Sequence, residues 1–182
     1  ATQEGNAKYR AATAQQTFQI SQANLVVTAN DQSMVFGSSI PELTFTYDGF
    51  VHDDTEAVLN ETPAASTVAS STSHVGEYDI VTSGGSADNY TLSHVEGMLS
   101  ISKATQVITI TPIADRSATD DSFDLEAMVD SGLELSYAVV SGPATISGST
   151  ITLTGDDGVV EIEVSQIGDG NYFETSETTS FT

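Results

Sequence analysis

The chain repeats itself out of phase, and this internal repeat limits what it can fold into. The first twenty residues resemble the last eighteen at an offset of 163 positions, without a gap. The matched pairs include Gln3 with Gln166, Gly5 with Gly168, Tyr9 with Tyr172 and Phe18 with Phe181. A second match divides this period, because Ile20-Ser21-Gln22-Ala23 recurs 81 positions later as Ile101-Ser102-Lys103-Ala104. The repeating unit is therefore two modules of about eighty residues, as in a slice of a longer array.

The repeat predicts where the modules begin and end. We assign residues 1–20 to the closing strand of a preceding module (the leading segment), 21–102 to a first module and 103–182 to a second module. The junctions at Ser21-Gln22-Ala23 and Ser102-Lys103-Ala104 leave little linker, so neighbouring modules should abut. A closing strand without its own sheet should leave Phe18 and Ile20 exposed, flexible or paired with an edge of another copy.

Apolar residues alternate with polar ones along most of the chain, which is the two-residue period of half-buried strands. The clearest runs are Leu43-x-Phe45-x-Tyr47, Ile108-x-Ile110, Leu133-x-Leu135-x-Tyr137-x-Val139, Ile151-x-Leu153 and Val160-x-Ile162-x-Val164. Thr, Ser and Val fill many other positions, and β-branched residues favour strand over helix. The sequence therefore predicts an all-β fold of two tandem immunoglobulin-like β-sandwich modules with a leading strand.

Turn signals refine this prediction. Glu96-Gly97 and Gly148-Ser149 each separate two short apolar runs, and both are predicted to be two-residue hairpin loops. Asn89-Tyr90 and Asn171-Tyr172 are predicted to mark the entry to the last strand of each module, with the tyrosine covering the edge of the core.

The first module resembles the MBG domain, a mostly-β, glycine-rich module found in tandem in very large bacterial surface proteins, especially adhesins of Bacteroidetes. The resemblance is carried by Leu25-Val26-Val27-Thr28-Ala29-Asn30-Asp31-Gln32-Ser33, Val35-Phe36-Gly37, Pro41, Leu43-Thr44-Phe45-Thr46-Tyr47, Gly49-Phe50-Val51, Val75-Gly76-x-Tyr78, Asn89-Tyr90-Thr91 and Gly97-x-Leu99-x-Ile101. The family usually has Tyr-Gly where this chain has Phe36-Gly37, a change that keeps the ring and loses a hydroxyl.

The second module resembles the bacterial immunoglobulin-like module that often alternates with the MBG domain. The matching stretches are Ala104-Thr105-Gln106-x-Ile108-Thr109-Ile110, Asp121-x-Phe123-x-Leu125, Ser131-Gly132-Leu133-x-Leu135-x-Tyr137, Ala144-Thr145-Ile146-Ser147-Gly148-Ser149 and Gly170-Asn171-Tyr172. Together the two resemblances imply a β fold and a bacterial surface setting. They imply no catalytic residues, because neither family has a catalytic motif to carry over.

The net charge of the chain limits the classes of partner that it can bind. Four basic residues against 26 acidic ones give a net charge of −22, and residues 21–102 contain no Lys or Arg. Nucleic acid and anionic lipid are unsuitable partners, since both require positive protein surface. The acidity favours cation binding, a saline medium or plain solubility. The chain has no cysteine, which excludes disulfides and thiolate chemistry, and no apolar run long enough to insert into a membrane.

We do not expect an enzyme or a bound organic cofactor. His52, His74 and His94 lie in separate segments without metal-ligand spacing, and none stands beside a serine in a nucleophile turn. Carboxylates are so frequent that no pair is singled out for acid-base catalysis. We therefore predict no catalytic and no cofactor-binding residues.

Calcium is the one cofactor that the sequence suggests. If the strands of the second module alternate up and down, the loops around Asp120-Asp121 and Asp156-Asp157 meet at the pole facing the next module. Carboxylates from these four residues could then form a calcium site. The alternative is that they are solvated turn residues, since Asp before Gly is ordinary turn chemistry.

These features together predict a spacer or stalk repeat of a large secreted or cell-surface bacterial adhesin, which holds the adhesive ends away from the cell. Its partners would be neighbouring repeats of the same polypeptide or other copies of the chain. The first alternative is a carbohydrate- or protein-binding module with Tyr47, Phe50 and Tyr137 as an aromatic platform. The second is an accessory domain of a secreted enzyme.

Overall fold

The computed structural model describes all 182 residues, which form short β-strands from end to end and no α-helix. The leading segment contains β1 (Thr2–Gln3) and β2 (Ala12–Thr13). The first module contains β3 (Ala23–Ala29), β4 (Gln32–Val35), β5 (Phe45–Asp48), β6 (Ala64–Thr67), β7 (Gly76–Ser83), β8 (Tyr90–Val95) and β9 (Gly97–Ser102). The second module contains β10 (Ile108–Ile110), β11 (Phe123–Asp124), β12 (Ala127–Val129), β13 (Ser136–Ser141), β14 (Ala144–Ser147), β15 (Thr150–Leu153), β16 (Val160–Gln166) and β17 (Thr175–Phe181).

The predicted alternation decides which side of each strand is buried. In β3 the buried residues are Leu25, Val27 and Ala29, at every second position. In β16 they are Val160, Ile162, Val164 and Gln166. Successive side chains point to opposite faces of a strand, so this pattern puts one face into a core and the other toward solvent. The single departure from strand and loop is a 3-10 turn at Glu56–Val58.

The first module has two sheets. One contains β5, β3 and β8 in that order, and the other contains β4, β9, β7 and β6. Two strand pairs are parallel, β3 with β8 and β4 with β9, and the rest are antiparallel. Ala29, Met34, Ile80, Leu99 and Ile101 form the buried cluster that joins the two sheets.

The second module has three small sheets, in the orders β10-β12, β11-β15-β14 and β13-β16-β17, with every pair antiparallel. Its buried cluster is separate from that of the first module. The cluster consists of Ile108, Leu125, Ile151, Val160, Ile162, Val164 and Phe181. The predicted all-β sandwich fold is confirmed, and the division at residues 20/21 and 102/103 stays a prediction.

The leading segment folds as a short hairpin whose register repeats that of the second module. Gln3 pairs with Ala12 in β1 and β2, and Gln166 pairs with Thr175 in β16 and β17, again 163 positions apart. The two hairpins differ in how far their matching phenylalanines are buried. Phe18 is 83% exposed, whereas its counterpart Phe181 is 4% exposed. Ile20 is also exposed. The leading segment thus has the form of a closing hairpin whose apolar side chains meet no core within this chain.

The structure confirms one of the two predicted hairpin loops and contradicts the other. The Gly148-Ser149 hairpin is confirmed, since Ser147 pairs with Thr150. The Glu96-Gly97 hairpin is wrong, because β8 pairs with β3 while β9 pairs with β4 and β7 in the opposite sheet. The Met98 N–H donates to the Asp31 carboxylate instead of to β8. Tyr90 consequently opens the next-to-last strand of the first module, not its last one.

No helix of the structure has the length and apolar character needed to cross a membrane.

Deletion of residues 1–19 should change the melting temperature of the remaining chain by less than a few degrees. All hydrogen bonds made by these residues stay within the leading segment, and its apolar rings are exposed. The measurement is thermal unfolding of the full and shortened chains by circular dichroism. A drop of more than about ten degrees, several kcal/mol for a chain of this size, would mean that the segment is integral to the first module.

Gly142→Ala should destabilise the second module far more than Gly155→Ala. Both glycines have similar positive φ, 99° and 94°, so either substitution costs about 1–2 kcal/mol in backbone strain. Only at Gly142 would the new Cβ collide with the Val159 carbonyl oxygen, whereas nothing lies within 4 Å at Gly155. The collision adds about 1–3 kcal/mol. Equal losses in urea unfolding of the two variants would contradict this account.

Candidate functional site at the contact between the modules

The turn between β16 and β17 is held by two buried glutamines. Gln106 Nε2 donates to Gln166 Oε1 and to the Phe173 carbonyl oxygen, both at 2.6 Å. Gln166 Oε1 also accepts from the Gly168 N–H. Both side chains are buried, and a buried amide is stable only when its hydrogen bonds are made. This network fixes the shape of residues 166–173.

The turn itself is an Asx turn that occurs twice in the chain. The Asp169 carboxylate accepts from the N–H groups of Asn171 and Tyr172, at 2.7 and 2.8 Å. In the leading segment the side chain of Asn6 accepts from Lys8 and Tyr9 in the same way, at 2.8 and 3.0 Å. The side-chain oxygen organises the turn locally, so the geometry follows from the sequence without help from another module.

The junction between the modules is paired, not loose. The Ala104 N–H donates to the Asn171 carbonyl oxygen and the Phe173 N–H donates to the Ala104 carbonyl oxygen, each at 2.9 Å. Ala104 thereby pairs in parallel with Tyr172, two residues after β9 ends at Ser102. The Lys103 ammonium group caps the same turn by donating to the Asp169 carbonyl oxygen at 2.5 Å.

The turn then contacts the first module through Asn171 and Tyr172. Asn171 Oδ1 accepts from the Val75 N–H at 3.1 Å, and the Asn171 side chain lies within hydrogen-bond distance of His74 Nδ1. The Tyr172 ring meets the Phe36 ring edge to face, with centroids 5.4 Å apart. The Phe36 ring lies parallel to the His74 ring at 6.4 Å. Such aromatic pairs stabilise a contact by about 0.5–1.5 kcal/mol beyond the area that they bury.

The sequence predicts only part of this contact. Its pattern indicates that the modules abut and that Tyr172 lies at a core edge, but it gives no role to Gln106, His74 or Val75. The recurrence of Gln3 as Gln166 in the internal repeat is the one sequence signal that points to this position. Nothing in the sequence indicated that Phe36 and Tyr172 meet, because 136 residues separate them.

The residues proposed for calcium are spread over two loops. Asp156 and Asp157 line a cavity that Arg116 and Ala118 also line, so the two loops do approach at one pole. Asp120 instead accepts a hydrogen bond from the Ser117 N–H at 3.1 Å, as a turn residue does. Asp121 is exposed and lies outside the lining of this cavity. No three His, Asp or Glu side chains of the chain form a group that could hold a metal ion. Calcium binding stays a prediction.

The aromatic residues proposed as a ligand platform do not form one surface. Tyr47 and Phe50 lie together in the first module, with ring centroids 5.6 Å apart, and Phe50 meets Tyr90 edge to face at 5.5 Å. Tyr137 lies in the second module and packs against its core cluster. The Tyr47 hydroxyl is buried without a hydrogen-bond partner, and this burial, followed by the nearby Glu56 carboxylate, raises the Tyr47 pKa above its ordinary value.

Each histidine has its own surroundings. His74 lies at the contact between the modules, and His94 Nδ1 lies 2.9 Å from the Thr82 hydroxyl. His52 is in a loop with positive φ. The structure does not bring the three together.

Residues 25–100 match the profile of the family described as the MBG domain (YGX type). This supports the MBG resemblance for most of the first module. The match leaves out the leading segment and the second module, whose resemblance to a bacterial immunoglobulin-like module rests on its sequence alone. A search of curated proteins finds no significant match.

Comparison with solved structures finds distant β proteins. A Drosophila N-cadherin EC1-4 structure has 10% identity and a TM-score of 0.32, with 89% of this chain and 51% of that one covered. The structure of Sidekick-1 immunoglobulin domains 1-5 has 13% identity and a TM-score of 0.33, with 88% of this chain and 38% of that one covered. A SusE-like surface-located polysaccharide binding protein of Bacteroides thetaiotaomicron has 16% identity and a TM-score of 0.30, with 90% of this chain and 34% of that one covered. Since the chain spans about half or less of each structure and the superpositions are poor, they carry no argument about function.

A calcium site at Asp156 and Asp157 predicts a specific thermal response. At fixed ionic strength, Ca²⁺ should raise the melting temperature of the second module more than Mg²⁺ does, because Ca²⁺ accepts many flexible oxygen ligands. Asp156→Asn with Asp157→Asn should remove this difference and leave the response to NaCl nearly intact. Sodium chloride is the control, since screening of 26 carboxylates stabilises the chain without any site. Equal effects of Ca²⁺ and Mg²⁺ would refute the calcium site.

Proposed function

We propose that this chain is a structural spacer from the stalk of a large secreted or cell-surface bacterial adhesin. Its task is to hold other parts of the parent protein away from the cell, and its own chemistry is confined to contacts between modules. The MBG match over residues 25–100 supports a surface-protein setting. The internal repeat supports a place in a longer array.

The observation that carries this proposal is the closed junction at Ser102-Lys103-Ala104. Within two residues of the end of β9, the chain is already hydrogen-bonded into the second module at Ala104. Asn171 and Tyr172 then tie the second module back to Val75 and Phe36 of the first. A junction without free linker restricts bending between neighbours, which is the property that a spacer requires.

The charge distribution suits the same role. The first module contains 11 acidic residues and no Lys or Arg, so neighbouring modules repel each other over the distance at which charges are unscreened. Repulsion between like-charged modules favours an extended array over a collapsed one at low salt. It also disfavours adhesion to nucleic acid or anionic lipid.

A binding module is the second candidate, and one observation favours it. Tyr47 and Phe50 line a shallow cavity of about 410 Å³ together with Asp54 and Glu56, and the hydroxyl of Tyr47 has no partner. A bound sugar stacks on an aromatic ring and hydrogen-bonds to polar side chains, and both kinds of group line this cavity. A glycan array probed with the intact chain separates the candidates. Binding that Tyr47→Ala with Phe50→Ala removes would support the second candidate, and no binding supports the spacer.

The junction contact should hold the two modules in one orientation. Phe36→Ala and Asn171→Ala each remove one part of it, so the double variant should keep both cores folded while the modules bend more freely. Small-angle X-ray scattering should then show a shorter maximum dimension and a broader distribution than for the unchanged chain. Phe50→Ala is the matched control, because the aromatic partners of that ring, Tyr47 and Tyr90, both belong to its own module. Identical scattering from the double variant and the unchanged chain would contradict a role of this contact in stiffness.

A further inference from the structure

The pole of the second module at Thr182 repeats the arrangement that the first module uses to hold its neighbour. In the first module, the Phe36 N–H donates to the carbonyl oxygen of Ser102, directly after the buried Ile101, at 2.9 Å. In the second module, the Arg116 N–H donates to the carbonyl oxygen of Thr182, directly after the buried Phe181, at 2.7 Å. Arg116 therefore stands where Phe36 stands.

A second correspondence concerns a backbone donor. Val75 precedes Gly76, the residue that pairs with Ile101, and its N–H is bonded to Asn171 of the neighbouring module. Val159 precedes Val160, which pairs with Phe181. The Val159 N–H makes no hydrogen bond within the chain, and its side chain is 56% exposed. The donor that binds the neighbour at the first junction is thus free at this pole.

Between these groups lies a cavity of about 270 Å³. Its apolar lining comes mainly from Pro143, Leu153, Val159 and Phe181, and its charged lining from Arg116, Asp156 and Asp157. The Arg116 guanidinium carbon lies 4.1 Å from the centroid of the Phe123 ring. The side chain is thereby held at this pole by a cation–π contact.

The first module carries the counterpart of the docking turn. The Ala23 N–H donates to the Asn89 carbonyl oxygen at 2.9 Å, as the Ala104 N–H does to Asn171. Asp88 and Asn89 are exposed. One Asp88 oxygen accepts from Asn60 at 2.7 Å, which fixes the turn. Tyr90 is buried and bonded to Asp54, so it cannot act as Tyr172 does.

We propose that the cavity at Arg116 and Val159 binds the Asp88-Asn89 turn of the first module of a second copy. Asn89 accepts from the Val159 N–H, as Asn171 accepts from Val75, and the Asp88 carboxylate lies against the Arg116 guanidinium. The inference rests on the proposed function, since it names the partner of the spacer at its other pole. The chain itself holds the required order of segments, because the leading segment repeats the end of the second module and continues into the first module.

Charge explains why arginine replaces phenylalanine in this cavity. Asp156 and Asp157 line it as well, so an incoming Asp88 would meet only negative charge if Arg116 were absent. A guanidinium group satisfies several carboxylate oxygens at once.

A two-copy chain tests the contact, made of residues 1–182 followed directly by residues 20–182. Val159→Cys in the first copy and Asn89→Cys in the second should form a disulfide under mild oxidation, because the docked turn, still held by the Asp88 contact with Arg116, brings the two positions to bonding range. The unchanged chain has no cysteine, so no other disulfide competes. Val75→Cys with Asn171→Cys within one copy is the positive control, and Met128→Cys with Asn89→Cys is the negative control, since Met128 is 70% exposed elsewhere in the module.

We expect the Val159/Asn89 pair to cross-link at least about tenfold faster than the Met128 control, since a docked turn raises the effective concentration of the thiols. Arg116→Ala should slow it several-fold at low salt, and Asp88→Asn in the second copy should restore the rate. A rate equal to that of the Met128 control overturns the contact. An unchanged rate in Arg116→Ala overturns the role of the guanidinium.

A measurement without cysteines guards against misfolded variants. The Val159 amide of the first copy should exchange its hydrogen at least about tenfold more slowly in the two-copy chain than in the single chain, and equal exchange overturns the contact. Small-angle scattering of the same two-copy chain separates this inference from the proposed function. An extended particle without the disulfide or the protection rejects the contact and leaves the spacer standing.

Discussion

The buried pair Gln106 and Gln166 is the interaction on which the junction depends. These amides lie in the interior of the second module, where an unmade hydrogen bond costs about 1–3 kcal/mol. In the observed geometry the two amides bond to each other, and the same side chains hold the Phe173 carbonyl and the Gly168 N–H. The polar network therefore transmits the order of the core to the turn that touches the first module. The Asp169 side chain organises the same turn locally, so Asn171 and Tyr172 are presented to the first module by both sets of hydrogen bonds.

Much of the fold follows from local pattern. Alternation in Val160-x-Ile162-x-Val164 places that strand and its buried face, and Gly148-Ser149 gives the hairpin, because both depend on neighbouring residues. Which strand pairs with which does not follow from local pattern. Val95 and Met98 are close in sequence, yet they lie in opposite sheets, since β8 and β9 find their partners among distant strands. Sequence pattern shows which face of a strand is buried and not which strand lies beside it.

The contact site follows less well from the sequence, for a related reason. Abutting modules could be predicted from the short stretch between the repeats. The identity of the touching residues could not, because Phe36 and Val75 reach Tyr172 and Asn171 only through the parallel pairing of Ala104. The four aspartates proposed for calcium follow from the sequence only in part. Asp156 and Asp157 line the cavity that Arg116 also lines, whereas Asp120 accepts a hydrogen bond within its own turn, and calcium binding at this pole stays a prediction.

The acidity also constrains how modules can be joined. With four basic residues for 26 acidic ones, ion pairs cannot be the general means of contact. The junction uses an amide, a backbone N–H and aromatic rings, which attract without charge and are little affected by salt. Two of the four cations are held by a carbonyl or a ring, Lys103 by the Asp169 carbonyl and Arg116 by Phe123. Long-range repulsion between the acidic modules and short-range neutral contacts at the junction do not oppose each other. The repulsion depends on the net charge of whole modules, whereas the junction depends on Asn171 and Tyr172 lying against Val75 and Phe36.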